Sequence, residues 1–348
     1  MKKSDTRIVF MGTPTFAVAS LRALIEGDYQ VVAVVTQPDK PVGRHGNTLQ
    51  PSPVKQYALE LELPVLQPVS LRESVFLETL RAFRPDLQVV VAFRMLPPEV
   101  FGLPPLGTFN LHASLLPQYR GAAPINWAII NGETQTGLTT FLLDAGMDTG
   151  RILLQRTVAI EPDDTAASLA DTLMEISPSL ITTTTDLLLS GIPTTPPQSA
   201  CTDNLPLPVA PKLFKDNCRI QWTFPTHVIY NFIRGLSPIP AAWTYIHLHG
   251  LPPRQLKIFL SEAHTNLHPY LYTLCPEKIL PVGTLIPDLK AKTLDVLTTD
   301  GYLRLLSIQL EGKKRLSVAE FLNGLPSHTY NYVSDTALLP TFVTFGAN

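Results

Sequence analysis

The segment Leu87-Gln-Val-Val-Val-Ala92, followed by Gly107-Thr-Phe-Asn-Leu-His112, decides the architecture of this chain. Apart from Gln88, the first run is apolar and rich in valine instead of alternating. That is the pattern of a strand buried on both faces, as in a parallel sheet covered by helices. Upstream, Arg7-Ile-Val-Phe-Met-Gly12 predicts another strand ending on glycine, and Thr13-Pro14 then opens a helix with Pro14 at its first position and Phe16, Leu21 and Leu24 on its apolar face. Residues 31–35 form a second buried strand. Residues 39–53, rich in Pro and Gly, read as a long loop. Helices are predicted over 53–61, 71–83, 123–131 and 165–189, and strands over 137–142 and 152–158. Strands alternating with helices from residue 7 to 190 indicate a doubly wound, Rossmann-like α/β domain. A dinucleotide fingerprint, G-x-G-x-x-G, is absent around Gly12, which reads as a tight strand-to-helix turn.

Six prolines between residues 191 and 211 break this pattern and mark a linker. Beyond them the sequence predicts a helix over 226–236 and short strands over 242–247, 255–259, 283–286, 294–298 and 303–309, the signature of a small, OB-like β-barrel. The expected organisation is therefore a catalytic domain over 1–190, a linker over 191–211 and a barrel domain over 212–348. A length of 348 residues with 45% hydrophobic and 16% charged content suits two globular domains.

The net charge of −2 excludes a wholly basic nucleic-acid coat, but it is unevenly spread. Residues 1–208 carry 14 Lys+Arg against 20 Asp+Glu, whereas 209–348 carry 13 against 9. A positive C-terminal part is suited to a polyanion, and equally to ordinary surface scatter. Cys201, Cys218 and Cys275 are widely spaced and show neither zinc spacing nor a disulfide framework, so a reducing, cytoplasmic location is expected. The start of the chain has neither a signal-peptide nor a transit-peptide pattern, and no window approaches the ~20 apolar residues of a membrane span.

The chemistry-bearing residues lie where the predicted strand 107–111 ends. Asn110 and His112 stand there, and Asp148 follows within Met147-Asp148-Thr149-Gly150. Open α/β sheets bind their ligands at such strand ends. An amide, an imidazole and a carboxylate can donate to, protonate and organise a developing tetrahedral oxyanion. A lone histidine at a strand end is commonly structural, so the surrounding residues carry the argument: Ser114-Leu-Leu-Pro117, Gln118-Tyr-Arg-Gly121 and Ala122-Ala-Pro124 are not generic loop composition.

These segments resemble the folate-dependent formyltransferase family. The resemblance extends to its methionyl-tRNA formyltransferases through Phe10-Met-Gly-Thr-Pro-Thr-Phe16, Gln37-Pro-Asp-Lys-Pro41, Gly43-Arg44, Pro51-Ser-Pro-Val-Lys55, Ala210-Pro-Lys-Leu213, Ile220-Gln-Trp222 and Ile233-Arg-Gly-Leu-Ser-Pro238. It covers nearly the whole chain. It implies 10-formyltetrahydrofolate as formyl donor, no metal, and the initiator methionyl-tRNA as partner of a monomeric enzyme. Asn110 would donate to the formyl oxygen, His112 would stabilise the same oxygen, and Asp148 would hold His112 and relay a proton. Ser114, Leu115, Leu116 and Pro117, with Phe93, Met95 and Leu96, would form the folate site. Gly12, Thr13, Pro14, Phe16, Arg44 and Lys212 would contact the tRNA. Core packing is an equal reading for the Leu115 and Leu116 side chains. Where the family shows Gly-Arg-Gly followed by basic residues, this chain has Arg44-His45-Gly46-Asn47-Thr48. Lys215, Arg219, Arg234 and Lys313-Lys-Arg315 are further candidate phosphate contacts. The same residues also admit a formyltransferase acting on another amine, a sugar nucleotide or glycinamide ribonucleotide, or a non-catalytic tRNA-binding protein.

Overall fold

The computed structural model describes residues 2–42, 48–191, 193–198, 206–248, 252–269, 280–324 and 332–334. Contact clustering divides the chain into two compact units: Met1–Ile125 with Gln135–Ile160 and Ser168–Pro211, and Asn126–Thr134 with Glu161–Ala167 and Lys212–Asn348.

In the first unit, β1 (Arg7–Gly12), β2 (Gln30–Val35), β5 (Val65–Leu66), β6 (Leu87–Val91), β7 (Thr108–His112), β9 (Gln135–Leu142) and β10 (Ile152–Ala159) form a sheet in the order β10-β9-β7-β6-β1-β2-β5. The strands from β5 to β7 are parallel, whereas β9 pairs antiparallel with β7 and β10 antiparallel with β9. The sheet is therefore mixed at one edge. β6 is buried along its whole length, Gln88 included, and Ile8 to Met11 of β1 are fully buried beside it. The chain leaves β1 toward β2 and β5, then returns to β6 and continues outward through β7. The topological switch thus falls between β1 and β6, and a ligand crevice is expected beyond their carboxyl ends.

Helix α1 (Thr15–Glu26) buries Ala17, Leu21 and Leu24 on one stripe. It begins one residue later than the sequence suggests: Pro14 keeps an extended ψ of 172° and stands at the N-cap, ahead of the first helical position. The 39–53 stretch is not wholly irregular either, because β3 (Lys40–Val42) and β4 (Thr48–Gln50) pair antiparallel within it. α2 (Pro53–Glu60), α3 (Ser74–Ala82), α4 (Pro98–Phe101) and α5 (Pro124–Ile130) follow. α6 (Ala166–Ser190) runs through Pro178, which cannot donate to the carbonyl of Met174. The Ser177 hydroxyl donates to that carbonyl instead, at 2.9 Å, so the helix continues without an orphaned acceptor.

The described parts of the proline-rich stretch do not form a free tether. Its second half contributes β11 (Val209–Ala210), which pairs in parallel with β8 (Arg120–Gly121). Pro208 accepts from the Tyr119 N–H at 2.7 Å and Ala210 from the Ala123 N–H at 3.2 Å. A Cβ on Gly121, whose φ is +128°, would lie 2.3 Å from the Ala210 oxygen, so this close approach requires glycine.

The second unit holds α7 (Thr226–Gly235), β12 (Ala242–His247), β13 (Arg254–His264), β14 (Leu285–Asp288), β15 (Thr293–Leu297), β16 (Tyr302–Leu310), β17 (Leu316–Ser317), α8 (Val318–Asn323) and β18 (Tyr332–Ser334). Its antiparallel sheet runs β14-β15-β16-β13-β12-β18, and the Val333 N–H donates to the Gly283 oxygen at 2.8 Å, bringing the two ends of that order together. The inner faces enclose Ile220, Trp222, Ile229, Ile233, Leu256, Ile258, Val296 and Leu305.

The N-cap of α7 is Pro225, which offers no capping side chain. Asp300 replaces it, accepting from the Thr226 N–H at 2.7 Å and the Thr226 hydroxyl at 2.6 Å. These bonds, that from the hydroxyl first, hold its carboxyl below the ordinary carboxylate range. A depressed value stabilises above the unfolded pKa and fades as pH falls through the folded one. Asp300→Ala is expected to cost about 1 kcal/mol near neutral pH, the usual worth of a cap. Urea titrations should show the difference shrinking toward pH ~3.

Candidate active site

Side chains two apart on a strand share a face, so β7 presents Asn110 and His112 together. Asn110 is half-buried, and its side-chain amide makes no hydrogen bond among the described residues. His112 is 6% exposed. Its Nε2 lies 2.9 Å from the carbonyl of Tyr119. A carbonyl only accepts, so Nε2 carries the proton, and Nδ1 is the nitrogen left to gain or lose one. That Nδ1 lies 3.9 Å from Asp148 Oδ2. This is a charge contact wider than a hydrogen bond, and contacts of this kind commonly tighten only when substrate is bound.

Asp148 stands in the loop between β9 and β10 with a φ of +54°, a left-handed conformation that aspartate tolerates better than most residues. Its Oδ2 accepts from the Gly121 N–H at 2.9 Å. The loop is built locally. Asp144 Oδ1 accepts from the Gly146 N–H at 2.9 Å and from the Thr149 hydroxyl at 2.6 Å. A Cβ on Gly150 would fall 1.6 Å from the Leu142 oxygen, which only glycine avoids. The sequence reading did not find the residues that complete this set. Tyr119 and Gly121 contribute only backbone groups, and Gln198 lies within the proline-rich stretch. Gln198 is 1% exposed and is bonded to the backbone of the Asp148 loop.

A cavity of about 470 Å³ opens in the same unit. Leu71, Arg94, Met95, Leu96, Phe101 and Ala145 line it, the last from the loop that carries Asp148. This volume falls in the range of small-molecule sites. Phe93 packs beside it against the β1–β6 core. Ser114, Leu115, Leu116 and Pro117 are not among the lining residues. The Ser114 hydroxyl donates to the Gln118 carbonyl at 2.7 Å, and the buried Leu116 accepts from Gln155 at 2.8 Å, so both are engaged in holding their own loop.

At the switch point, Gly12 is packed so closely that a Cβ would meet Ala17 at 2.7 Å and the Val91 oxygen at 3.0 Å. The next residue, Thr13, has a buried hydroxyl with no partner among the described residues. Pro14 is exposed and Phe16 half-buried. Arg44 lies outside the described residues, but the base of its loop is fixed. Lys55 Nζ pairs with Asp39 at 2.6 Å, Gln67 donates to the same carboxylate at 2.7 Å, and the Thr36 and Ser52 hydroxyls meet at 2.7 Å. Lys55, and after it Gln67, holds the Asp39 carboxyl below its ordinary value.

In the second unit, the exposed Lys212 reaches over Phe214, with Nζ 5.4 Å from the ring centroid, and Phe214 is 60% exposed. Lys215 and Arg219 lie over the ring of Trp243 at 5.8 and 5.9 Å. Arg234, a candidate phosphate contact from sequence, is not available for one. It is 8% exposed and donates to the carbonyls of Glu161 and Asp164 and to Asn231.

An unpaired amide next to an imidazole–carboxylate pair suits direct transfer of an acyl carbon to an amine, since charge gathers on one oxygen while a proton leaves one nitrogen. The family models agree: residues 6–185 match the formyl transferase domain and 212–326 the formyl transferase C-terminal domain. The methionyl-tRNA formyltransferase of Parabacteroides distasonis is 54% identical over 93% of this chain and 97% of its own length. That of Porphyromonas gingivalis is 47% identical over 96% of this chain and all of its own. Among solved structures, the sugar 3N-formyl transferase WlaRD shares the fold with a TM-score of 0.59 at 17% identity, covering 89% of this chain and 99% of that one. HypX from Aquifex aeolicus gives a TM-score of 0.59 at 18% identity over 92% of this chain, which spans only 48% of HypX. The chain belongs to the methionyl-tRNA formyltransferase family and is a formyl-transferring enzyme. Among its described residues no helix is long and apolar enough to cross a membrane.

Proposed function

We propose that the chain transfers the formyl group of 10-formyltetrahydrofolate to the α-amino group of methionine on initiator tRNA. The observation that carries this reading is the Asn110 amide, unpartnered among the described residues, on the same strand as His112, whose Nδ1 faces Asp148. The acceptor amine attacks the formyl carbon. A nitrogen–carbon bond forms first, the bond to the folate nitrogen then breaks, and the proton lost by the amine ends on that departing nitrogen. Between these events the formyl oxygen carries negative charge. Asn110 donates to it, and His112, when its Nδ1 carries a proton, adds a second positive partner. Asp148, held by the Gly121 N–H, is also placed to pass the amine proton onward.

The cavity suits the flat bicycle of a folate. It offers the apolar sides of Leu71, Leu96 and Phe101, the backbone of 94–97, and a buried Arg94 Nε with no partner among the described residues. For the acceptor, the positive balance of 209–348 and the exposed Lys212, Phe214, Lys215 and Arg219 suit a phosphate backbone with unpaired bases. Thr13, with its unpartnered hydroxyl at the switch point, stands beside the reacting edge as a contact for the aminoacyl end.

The test is formylation by purified protein of charged initiator tRNA, charged elongator tRNA, glycinamide ribonucleotide and an amino-sugar nucleotide, each with the same donor. Product confined to the initiator tRNA is expected. Turnover of a small amine in its place would reassign the acceptor, and tRNA binding with no turnover of any acceptor would leave a binding protein.

A further inference from the structure

We propose that Gln198 is a positioning residue for catalysis: its amide holds the backbone of 148–150 so that the Asp148 carboxylate faces His112. This rests on the formyl-transfer reading of the site. Gln198 is 1% exposed and uses its full hydrogen-bonding capacity. Oε1 accepts from Arg120 Nη2 at 2.6 Å and Nε at 3.2 Å. Nε2 donates to the carbonyls of Asp148 at 3.0 Å and Gly150 at 2.7 Å. The partners fix which way the amide points. A guanidinium only donates, so it takes the oxygen, and two carbonyls only accept, so they take the NH2 group.

The consequence concerns Asp148. A non-glycine residue at φ +54° costs free energy and persists only where its surroundings over-determine it. Here the carbonyls of residues 148 and 150 are both tied to one side chain, while Arg120, the other end of that clamp, directly precedes Gly121, whose N–H holds Asp148 Oδ2. Gln198 thus links the two backbone segments that set the carboxylate.

Gln198→Met keeps the length and removes all four bonds. Gln198→Glu keeps the acceptor for Arg120 and replaces the two donors with an oxygen facing two carbonyls. Both are expected to lower kcat about tenfold, with the KM values for donor and tRNA within about twofold of wild type. In an Asp148→Ala background the same changes should lower kcat less than twofold, because a residue acting through Asp148 has nothing left to position. An equal loss with and without Asp148, or an effect confined to KM, overturns the proposal. A crystal structure of either variant gives a reading independent of activity. Asp148 is expected to leave the left-handed region and its bond to Gly121, and an unmoved Asp148 refutes the role even if no acceptor is formylated. Wild-type protein that formylates no acceptor would count against the functional reading alone.

Discussion

Asn110→Ala is expected to lower turnover by about 10²–10³-fold, the usual effect of removing one oxyanion donor, or about 2.7–4 kcal/mol of transition-state stabilisation. The structure explains why stability should be spared. Asn110 is half-buried, and its side chain has no hydrogen-bond partner among the described residues to leave unsatisfied. Its backbone pairs with Val90 and Phe141, and alanine keeps that pairing. The loss should appear in kcat with little change in tRNA affinity, since the amide meets the oxygen most strongly once charge has developed there. Single-turnover formylation with the thermal midpoint measured in parallel is the check. Near-normal turnover in the folded variant would remove Asn110 from the chemistry.

The second large effect is expected at the imidazole–carboxylate pair. His112→Ala and Asp148→Ala should each slow the chemical step by roughly 10²–10⁴-fold. The two groups face each other at 3.9 Å, and Nε2 of His112 is already committed to Tyr119, so Nδ1 is the nitrogen through which Asp148 can act on the imidazole. Residues that work as one relay lose their combined effect once. The double variant should therefore fall far short of the product of the single losses. Multiplicative losses would show that Asp148 serves the amine proton without going through His112.

The sheet was readable because its strands are buried on both faces: Ile8 to Met11 are wholly apolar, and Leu87 to Val91 are apolar but for Gln88, so neither run alternates. Asn110 and His112 were readable for a related reason, as polar side chains ending an apolar run. The antiparallel edge was not, because β9 and β10 carry the same kinds of residue as their parallel neighbours and pairing direction leaves little trace in composition. The β3–β4 hairpin was hidden by the prolines and glycines around it. The supports of Asp148 left the least signal. Tyr119 and Gly121 act through backbone atoms that every residue possesses. Gln198 sits among prolines, where a polar side chain reads as solvated linker, and only the long-range fold shows it to be buried. Arg234 misled in the opposite direction, since a basic residue reads as surface until its carbonyl partners are seen.

The boundary between the two compact units is not a point on the chain. Residues 126–134 and 161–167 cluster with 212–348, and the Asn126 amide donates to the Gly235 carbonyl at 2.7 Å within that second unit. The proline-rich segment up to Pro211, by contrast, clusters with the first. In the terms of genetic recombination, every single crossover between residues 126 and 211 divides at least one unit between two parents. A chimera joining one relative's catalytic unit to another's C-terminal unit therefore has to graft 126–134 and 161–167 along with the latter.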